Sequence, residues 1–500
     1  MQNRCSLSFA VAVVAVCSLP LAAQEPPRAQ EPPPAAVETP VGPAHEAWVP
    51  DSQPKDVRWT LWLPYDAADG ALLDHTLHLS DLQRRHAAAG LRINVVLDAA
   101  NAKVAAARKP GFAVWSLQPP PAEPAQQPDN DVQVEQVVID DLDFGGSAFG
   151  WQASYFCRGQ ELRRVLPSLD LFTDVVAPAL ADEAKLPESD EAAAVVFSLL
   201  QSVGDAYVDA QQIPPLIAAL PHSGHARALA VLQQWWGSGD YEAADAAIEA
   251  GLQALAGEPI SLCVFADLVL RGDRSDRFAR RLAAELGPVA AAAPEGPFTQ
   301  LVYLRALLRA GQDRLAGRVI AKLQKSLKRP QDLLLFSETL LEGSTPAAQR
   351  DQAQQALDKA RAGGADARLC FAAQHKIQQR CGDAEAAAQT MLRYRTDVGE
   401  GRDLNNDAWY LMVRPDTMGR FDTLALAQCD ELMRQMGAGI SHGNKDTVAL
   451  AKFLNGLVDE AIELQEDASR ASGDQPQYVA RLLRFKNAKA RAKAAAATPK

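Results

Sequence analysis

Aromatic side chains supply only 6% of the 500 residues, against an apolar share of 48%, and alanine is abundant. That composition suits close-packed helices better than sheets. Cysteine is too scarce for a disulfide framework. Of seven, Cys5 and Cys17 lie in the first 23 residues, leaving Cys157, Cys263, Cys370, Cys381 and Cys429. Five is an odd number, and Cys370 and Cys381 would sit about 16 Å apart on one helix, beyond disulfide reach. Buried free thiols are expected instead. Positive charge is also short, with 50 Lys and Arg against 62 Asp and Glu and a formal charge of −12. General nucleic-acid binding is therefore excluded as an expectation. After the N-terminal segment, charge breaks every apolar run within about a dozen residues, so no membrane span is expected.

What is present begins with an export signal over residues 1–23. Arg4 is its only charge, Phe9 to Cys17 is unbroken and apolar, and Leu21-Ala22-Ala23 ends it. Without it the chain would carry about −13, Arg4 being lost. No cysteine follows at the cleavage point, so the expected product is periplasmic or secreted and carries no lipid anchor. Residues 24–54 hold nine prolines and read as a disordered tether.

The strongest pattern lies downstream. Apolar segments are punctuated by glycines at 204, 239, 272, 311, 343, 382 and 456, the first six separated by 35, 33, 39, 32 and 39 residues. Gly239-Asp240-Tyr241-Glu242-Ala243-Ala244 and Gly382-Asp383-Ala384-Glu385-Ala386-Ala387 are the clearest copies. A period of that length predicts stacked helical hairpins, each too small to bury its own core. The longer gap from Gly382 to Gly456 has room for one more hairpin, Asn405 to Met436, turning near Gly419. Residues 486–500 read as a basic, frayed tail.

Residues 55–180 alternate differently. Strands are expected at Val57 to Leu63, Leu91 to Leu97, Gly111 to Leu117, Val132 to Asp140 and Trp151 to Cys157. Helices are expected over Gly70 to Ala89, along an alanine-rich stretch to Arg108, and from Gln160 to Leu180. This is an α/β module with a mixed sheet. The stretch 58–98, RWTLWLPYDAADGALLDHTLHLSDLQRRHAAAGLRINVVLD, resembles the thioredoxin-like fold of exported thiol-disulfide oxidoreductases. Where that family carries Cys-x-x-Cys, this chain reads Leu63-Pro64-Tyr65-Asp66-Ala67-Ala68-Asp69-Gly70. The family's cis-proline also has no counterpart, since no proline lies between Pro128 and Pro167. The resemblance implies the fold and argues against thiol exchange.

Residues 186–485 resemble tetratricopeptide repeats. Gly239, Tyr241, Ala244, Ile248 and Leu252 fit that motif's turn, aromatic and close-contact positions. Gly311, Ala316, Ile320 and Leu323 fit it too, as do Gly382, Ala387, Met391 and Tyr394, and Gly456, Ala461, Gln465 and Ala468. The copies at Gly204, Gly272 and Gly343 are weaker, and Pro214-Pro215 interrupts the first.

Chemistry-bearing candidates are few. Asp74, His75, His78, Asp81 and His86 form one cluster, read as core-edge residues in preference to metal ligands because no third ligand lies at short spacing. Asp141 to Gly146 lacks the donors of a calcium loop, and Gly145 to Phe149 misses the nucleophile-elbow pattern. No metal or cofactor is expected. Trp235 and Trp236 are candidate protein-binding residues, one ring packed and the other exposed. Asn405 and Asn406 are candidates for clamping a peptide backbone, with helix capping as the alternative. The expectation is thus an exported, non-enzymatic scaffold that binds a protein or peptide on the array's concave face. The alternatives are a divergent thiol-disulfide oxidoreductase using Cys157 or a redox partner in trans, and a self-associating envelope protein.

Overall fold

The computed structural model describes residues 42–44, 59–64, 71–98, 113–117, 154–158, 161–166, 169–181, 195–196, 198–200, 210–272, 277–343, 346–398, 403–414 and 417–497. All of them fall in one of the chain's two compact units, Thr39–Lys500.

The N-terminal part of this unit builds one six-stranded mixed sheet. Its strands are β1 (Gly42–Ala44), β2 (Trp59–Pro64), β3 (Leu91–Asp98), β4 (Ala113–Leu117), β5 (Ser154–Arg158) and β6 (Glu161–Leu166), in the order β1-β4-β3-β2-β5-β6. The first four run parallel, β5 is antiparallel to β2, and β6 is antiparallel to β5. Helix α1 (Ala71–His86) connects β2 to β3 and ends in a 3-10 turn at Gly90, whose φ of 85° only glycine adopts without strain. Leu79 and Leu82 of α1 and Leu91, Ile93 and Val95 of β3 are buried in the core. Gln83 adds a polar link, accepting from the Ile93 N–H at 2.5 Å and donating to the Leu91 carbonyl at 2.6 Å.

Two local expectations change. Gly42–Ala44, read as tether, is an edge strand, a position where Pro43 is tolerated because its missing donor would face outward. The helix expected from Gln160 to Leu180 is split. Leu162, Val165 and Leu166 mimic a helical spacing, but Pro167 stops any helix there and the segment pairs with β5 instead. Helical backbone starts only at Leu169, as a 3-10 turn that widens into a π-turn over Phe172–Val176 before α2 (Ala177–Ala181). The calls for Val132 to Asp140, the Ala-rich stretch to Arg108, the Asp141 motif and Gly204 lie outside the described residues.

From Ile213 onward every described element is helical, as the glycine period requires. A short helix, α3 (Ile213–Ala219), carries Pro214 and Pro215 in its first turn, where a missing N–H costs nothing, so the prolines begin a helix instead of interrupting one. Seven hairpins follow. Their helices are α4 (Gly224–Gln233) with α5 (Tyr241–Ala254), α6 (Pro259–Gly272) with α7 (Ala279–Ala292), and α8 (Pro297–Arg309) with α9 (Asp313–Ser326). Next come α10 (Pro330–Thr339) with α11 (Ala347–Ala362) and α12 (Ala367–Cys381) with α13 (Ala384–Asp397). The last two are α14 (Leu404–Val413) with α15 (Asp422–Met436) and α16 (His442–Leu454) with α17 (Val458–Ala471), and α18 (Pro476–Ala497) completes the set. The hairpin expected between Asn405 and Met436 is therefore present, turning at Gly419 with φ 78°. Gly239, Gly311, Gly343, Gly382 and Gly456 are left-handed in the same way, whereas Gly272 is not. It ends α6, and a Cβ there would lie 2.3 Å from Leu232 Cδ2, so packing explains the residue.

Ala244, Ala316, Ala387 and Ala461 are fully buried where paired helices meet. Small side chains at these positions let the backbones approach. Ala461→Phe is expected to destabilise the chain by about 1–3 kcal/mol, read as a lower urea midpoint.

Residues 486–497, expected to fray, continue α18 and pack back on the first hairpin. Asn487 donates to the Gly239 carbonyl at 2.8 Å, Arg491 makes a two-pronged contact with Asp245 at 2.8 and 2.6 Å, and the Arg484 guanidinium lies 4.0 Å over the Trp236 ring. The lysines and arginines that look solvated in sequence include Arg491, which helps fasten the helix.

Candidate functional site

The first helices of successive hairpins pack on one another and form the inner face where an array of this kind would hold a partner. In this chain that face is filled by its own charges. Asp267 of α6 meets Arg271 at 2.8 Å and Arg305 of α8. Arg305 reaches Glu342 after α10 at 4.0 Å, and Glu342 reaches Lys376 of α12 at 3.6 Å. The four residues Asp267, Arg305, Glu342 and Lys376 recur at roughly one repeat length and alternate in sign. Burial raises the Asp267 carboxyl, but Arg271 and Arg305 overcome that and hold it below the usual carboxylate range.

A second layer comes from the turn between α14 and α15. A Cβ on Gly419 would lie 2.7 Å from the Arg271 carbonyl oxygen, so the turn sits directly on the end of α6. Arg420 makes a fork-to-fork pair with Glu338 of α10, at 2.7 and 2.8 Å, both side chains being almost wholly buried. Arg309 donates to the Leu270 carbonyl, satisfying another helix end. Along α6, α8 and α10 these contacts cover the first-helix face with the chain's own residues.

Two consecutive hairpins share a further device. Asp407 of α14 accepts from Gln428 Nε2 of α15 at 3.0 Å, and Asp446 of α16 accepts from Gln465 Nε2 of α17 at 2.7 Å, all four being buried. Tyr394 and Arg481 complete these sets, Tyr394 donating to Asp407 at 3.4 Å and Arg481 pairing with Asp446. Burial, with the nearby Asp407 carboxylate, pushes the Tyr394 hydroxyl up to about 12.

The residues expected to bind protein are placed as follows. Trp235 and Trp236 are both buried, each 2% exposed, so neither ring offers a surface anchor. The doublet sits in a π-turn, which rotates Trp236 towards α18, where Arg484 covers it. Asn406 is exposed and Asn405 half-buried at the start of α14, but Asp403 is the cap, accepting from the Asn406 N–H at 3.1 Å. Asn405 donates to Asn406 Oδ1 at 3.4 Å. The two asparagines adjoin one another and lie apart from the Trp pair in sequence; no contact joins the two candidates among the described residues.

The histidine cluster forms no metal site among the described residues. His78 is buried, and loss of solvent pulls its pKa down to about 4. His86 tilts against Phe172 at 5.8 Å, and Asp81 is engaged by Arg84 and Arg85. Asp74 has a different task. Its carboxylate accepts from the N–H groups of Phe298 at 3.1 Å and Thr299 at 2.8 Å, capping α8 across 225 residues of sequence. A Cβ on Gly296 would fall 2.3 Å from Asp74 Oδ1, so glycine is required there for space. Burial raises Asp74 to about 7, against the lowering pull of its two N–H partners, and Asp332 adds to the rise. The folded chain therefore holds this proton over a range in which the unfolded chain, at the ordinary 3.8, has lost it. The contribution to stability is greatest at low pH, falls as pH rises from about 4 to 7, and is level above that. Asp74→Asn is expected to flatten this part of the profile, measured as the difference between wild-type and variant urea midpoints across pH.

Cys263, Cys370 and Cys429 are buried free thiols and Cys381 is exposed and free. Burial pushes the Cys263 thiol up to about 12 and raises Cys370 as well, which leaves them unreactive.

One surface was missed in the sequence. Helix α9 carries Arg314, Arg318, Lys322 and Lys325 at spacings of four, four and three, with Asp313 as its only acid and Lys328 just beyond its end. That spacing places the cations on one helical face. All five are exposed, and none has an ion-pair partner among the described residues. Only Ala316 and Leu323 of this helix are fully buried. The signal was present in the sequence as a 3–4 periodicity of charge, but it overlies the alanine pattern that defines the repeat.

Compared with protein-family models and with curated proteins, the chain matches neither.

Proposed function

We propose that the chain is a non-enzymatic scaffold, exported to the periplasm or secreted, that uses its helical-hairpin array to bind a protein or peptide. The observation that carries this reading is the run of seven consecutive hairpins, whose buried alanines and left-handed glycines occur at repeating places. The positions agree with those of tetratricopeptide repeats, and we assign the array to that type in a degenerate form. We assign the sheet module to the thioredoxin-like type. In support, a βαβ unit is followed by an antiparallel pair, and the strand between the two is central. The first turn of α1, next to which that family carries its redox cysteines, presents Asp74 and spends it on capping α8. A module used in this way is a structural partner of the array.

Thiol exchange is the competing class, with Cys157 on β5 as the residue it would need. Dithiol-dependent insulin reduction by the full chain separates the two. The scaffold reading expects the rate of the uncatalysed control. Turnover above it that disappears in Cys157→Ser would overturn the reading. Self-association through the array's ends is less favoured, because α18 already covers the first hairpin.

A further inference from the structure

Several helices of this array pair their surface charges locally. On α17 the carboxylates Asp459, Glu460, Glu466 and Asp467 are met by Lys489 at 2.5 Å, Lys452 at 2.7 Å, Lys486 at 2.7 Å and Lys445 at 3.5 Å. On α7, Arg281 pairs with Glu285, and on α15 Arg434 pairs with Glu431. Helix α9 has no such arrangement. Arg314, Arg318, Lys322 and Lys325 project from one face over about 16 Å, Lys328 extends the row, and no described carboxylate meets them. Five neighbouring like charges repel each other, and in a chain of formal charge −12 carboxylates were available to relieve them.

We propose that the outer face of α9 is the docking surface for an acidic segment of a partner protein, one presenting carboxylates at three- and four-residue spacing. This rests on the scaffold reading and moves the binding surface from the inner face, which the chain fills itself, to the outer one. Three observations select this occupant. The acidic helix of a second copy, α17, already has four of its five carboxylates engaged by lysines of its own chain, Glu463 alone standing outside those pairs. A bilayer-binding helix needs a free apolar face, whereas here Ala316 and Leu323 are buried, Val319 and Ile320 are half-buried, and Leu315 alone is exposed. A broad anionic surface would also bring the rest of an acidic molecule within the screening distance of about 8 Å, while a single segment meets only the basic row. Leu315, beside Arg314, gives such a segment an apolar contact at one end of that row.

The test uses the full chain and a fluorescein-labelled poly-glutamate peptide of about 14 residues, the length of α9, followed by fluorescence anisotropy. One variant carries Arg314→Gln, Arg318→Gln, Lys322→Gln and Lys325→Gln, substitutions that keep helix propensity, with its fold checked by circular dichroism. A matched variant carries Lys445→Gln, Lys452→Gln, Lys486→Gln and Lys489→Gln and loses the same net charge. The proposal expects peptide binding that weakens with added salt, falls at least about tenfold in the first variant and is retained in the second. Equal loss in both variants, no loss in the first, or no binding by the wild type would overturn it. So would binding to phosphatidylglycerol–phosphatidylcholine vesicles or duplex DNA through α9 in preference to the peptide. The insulin assay does not depend on α9, so the scaffold reading stands or falls separately.

Discussion

Arg420→Ala is expected to lower the stability of the folded chain by about 3–5 kcal/mol, among the largest effects of any single truncation in the array. The pair it breaks is buried on both sides, and removal of the guanidinium leaves Glu338 inside the array without its two-pronged partner. A carboxylate in that position takes up a proton to avoid the desolvation cost. The variant should therefore also lose stability more steeply as pH rises from about 4 to 7. Urea denaturation at several pH values checks both statements. The double variant Arg420→Met with Glu338→Leu should recover most of the loss, since an apolar pair of similar volume has no charge to desolvate. If the single variant cost no more than an exposed ion pair, about 0–1 kcal/mol, the turn at Gly419 would not be seated on the inner face.

The second large effect is expected at the closure. Gly239 has φ 65°, and a Cβ on it would lie 2.6 Å from the Arg484 Cα and 2.7 Å from its backbone nitrogen. Backbone cannot move aside as a flexible side chain can. Gly239→Val adds a branched side chain in a left-handed conformation, which alone costs about 1–3 kcal/mol, and the overlap adds a further 1–3 kcal/mol or so. The two costs fall on the same contact, and the cheapest relief is release of α18 from the first hairpin. The Arg484–Trp236 stack and the Arg491–Asp245 pair would go with it. Trp236 should then gain solvent, seen as a red shift and increased quenching of tryptophan fluorescence. Gly311 and Gly382 are left-handed too but face open space, so the same substitution there should cost only the conformational part.

Much of the array could be read from the chain because its signals are local. A left-handed glycine, an aspartate cap such as Asp240 or Asp383, and a small residue three or four positions later all act within one hairpin. The hairpin turning at Gly419 was legible for that reason although it lacks the Gly-Asp pair. The features that decide what the array can bind are not local. Asp267, Arg305, Glu342 and Lys376 carry no motif, and only folding aligns them. Trp236 looked available because its cover, Arg484, lies 248 positions away. The tail looked frayed because Asn487 and Arg491 find their partners in the first hairpin. Asp74 lies in a cluster whose sequence reads as core-edge, and its actual partner is the start of a helix more than 220 residues on. In the sheet, Glu161–Leu166 has a helical spacing of apolar residues, and a strand formed because pairing with β5 was available. The charge row on α9 is local too, but its cations are interleaved with the small residues that define the repeat.

Closure of the array by its own last helix underlies the whole account, because it removes the free end and leaves the inner face to the chain itself. Hydrogen exchange read by mass spectrometry on the native full chain measures it directly. Peptides covering residues 234–245 and 478–491 should be protected in the wild type and lose protection together in Gly239→Val, while α12 and α13 keep theirs. Rapid exchange of 478–491 in the wild type, with 234–245 protected regardless, would contradict it.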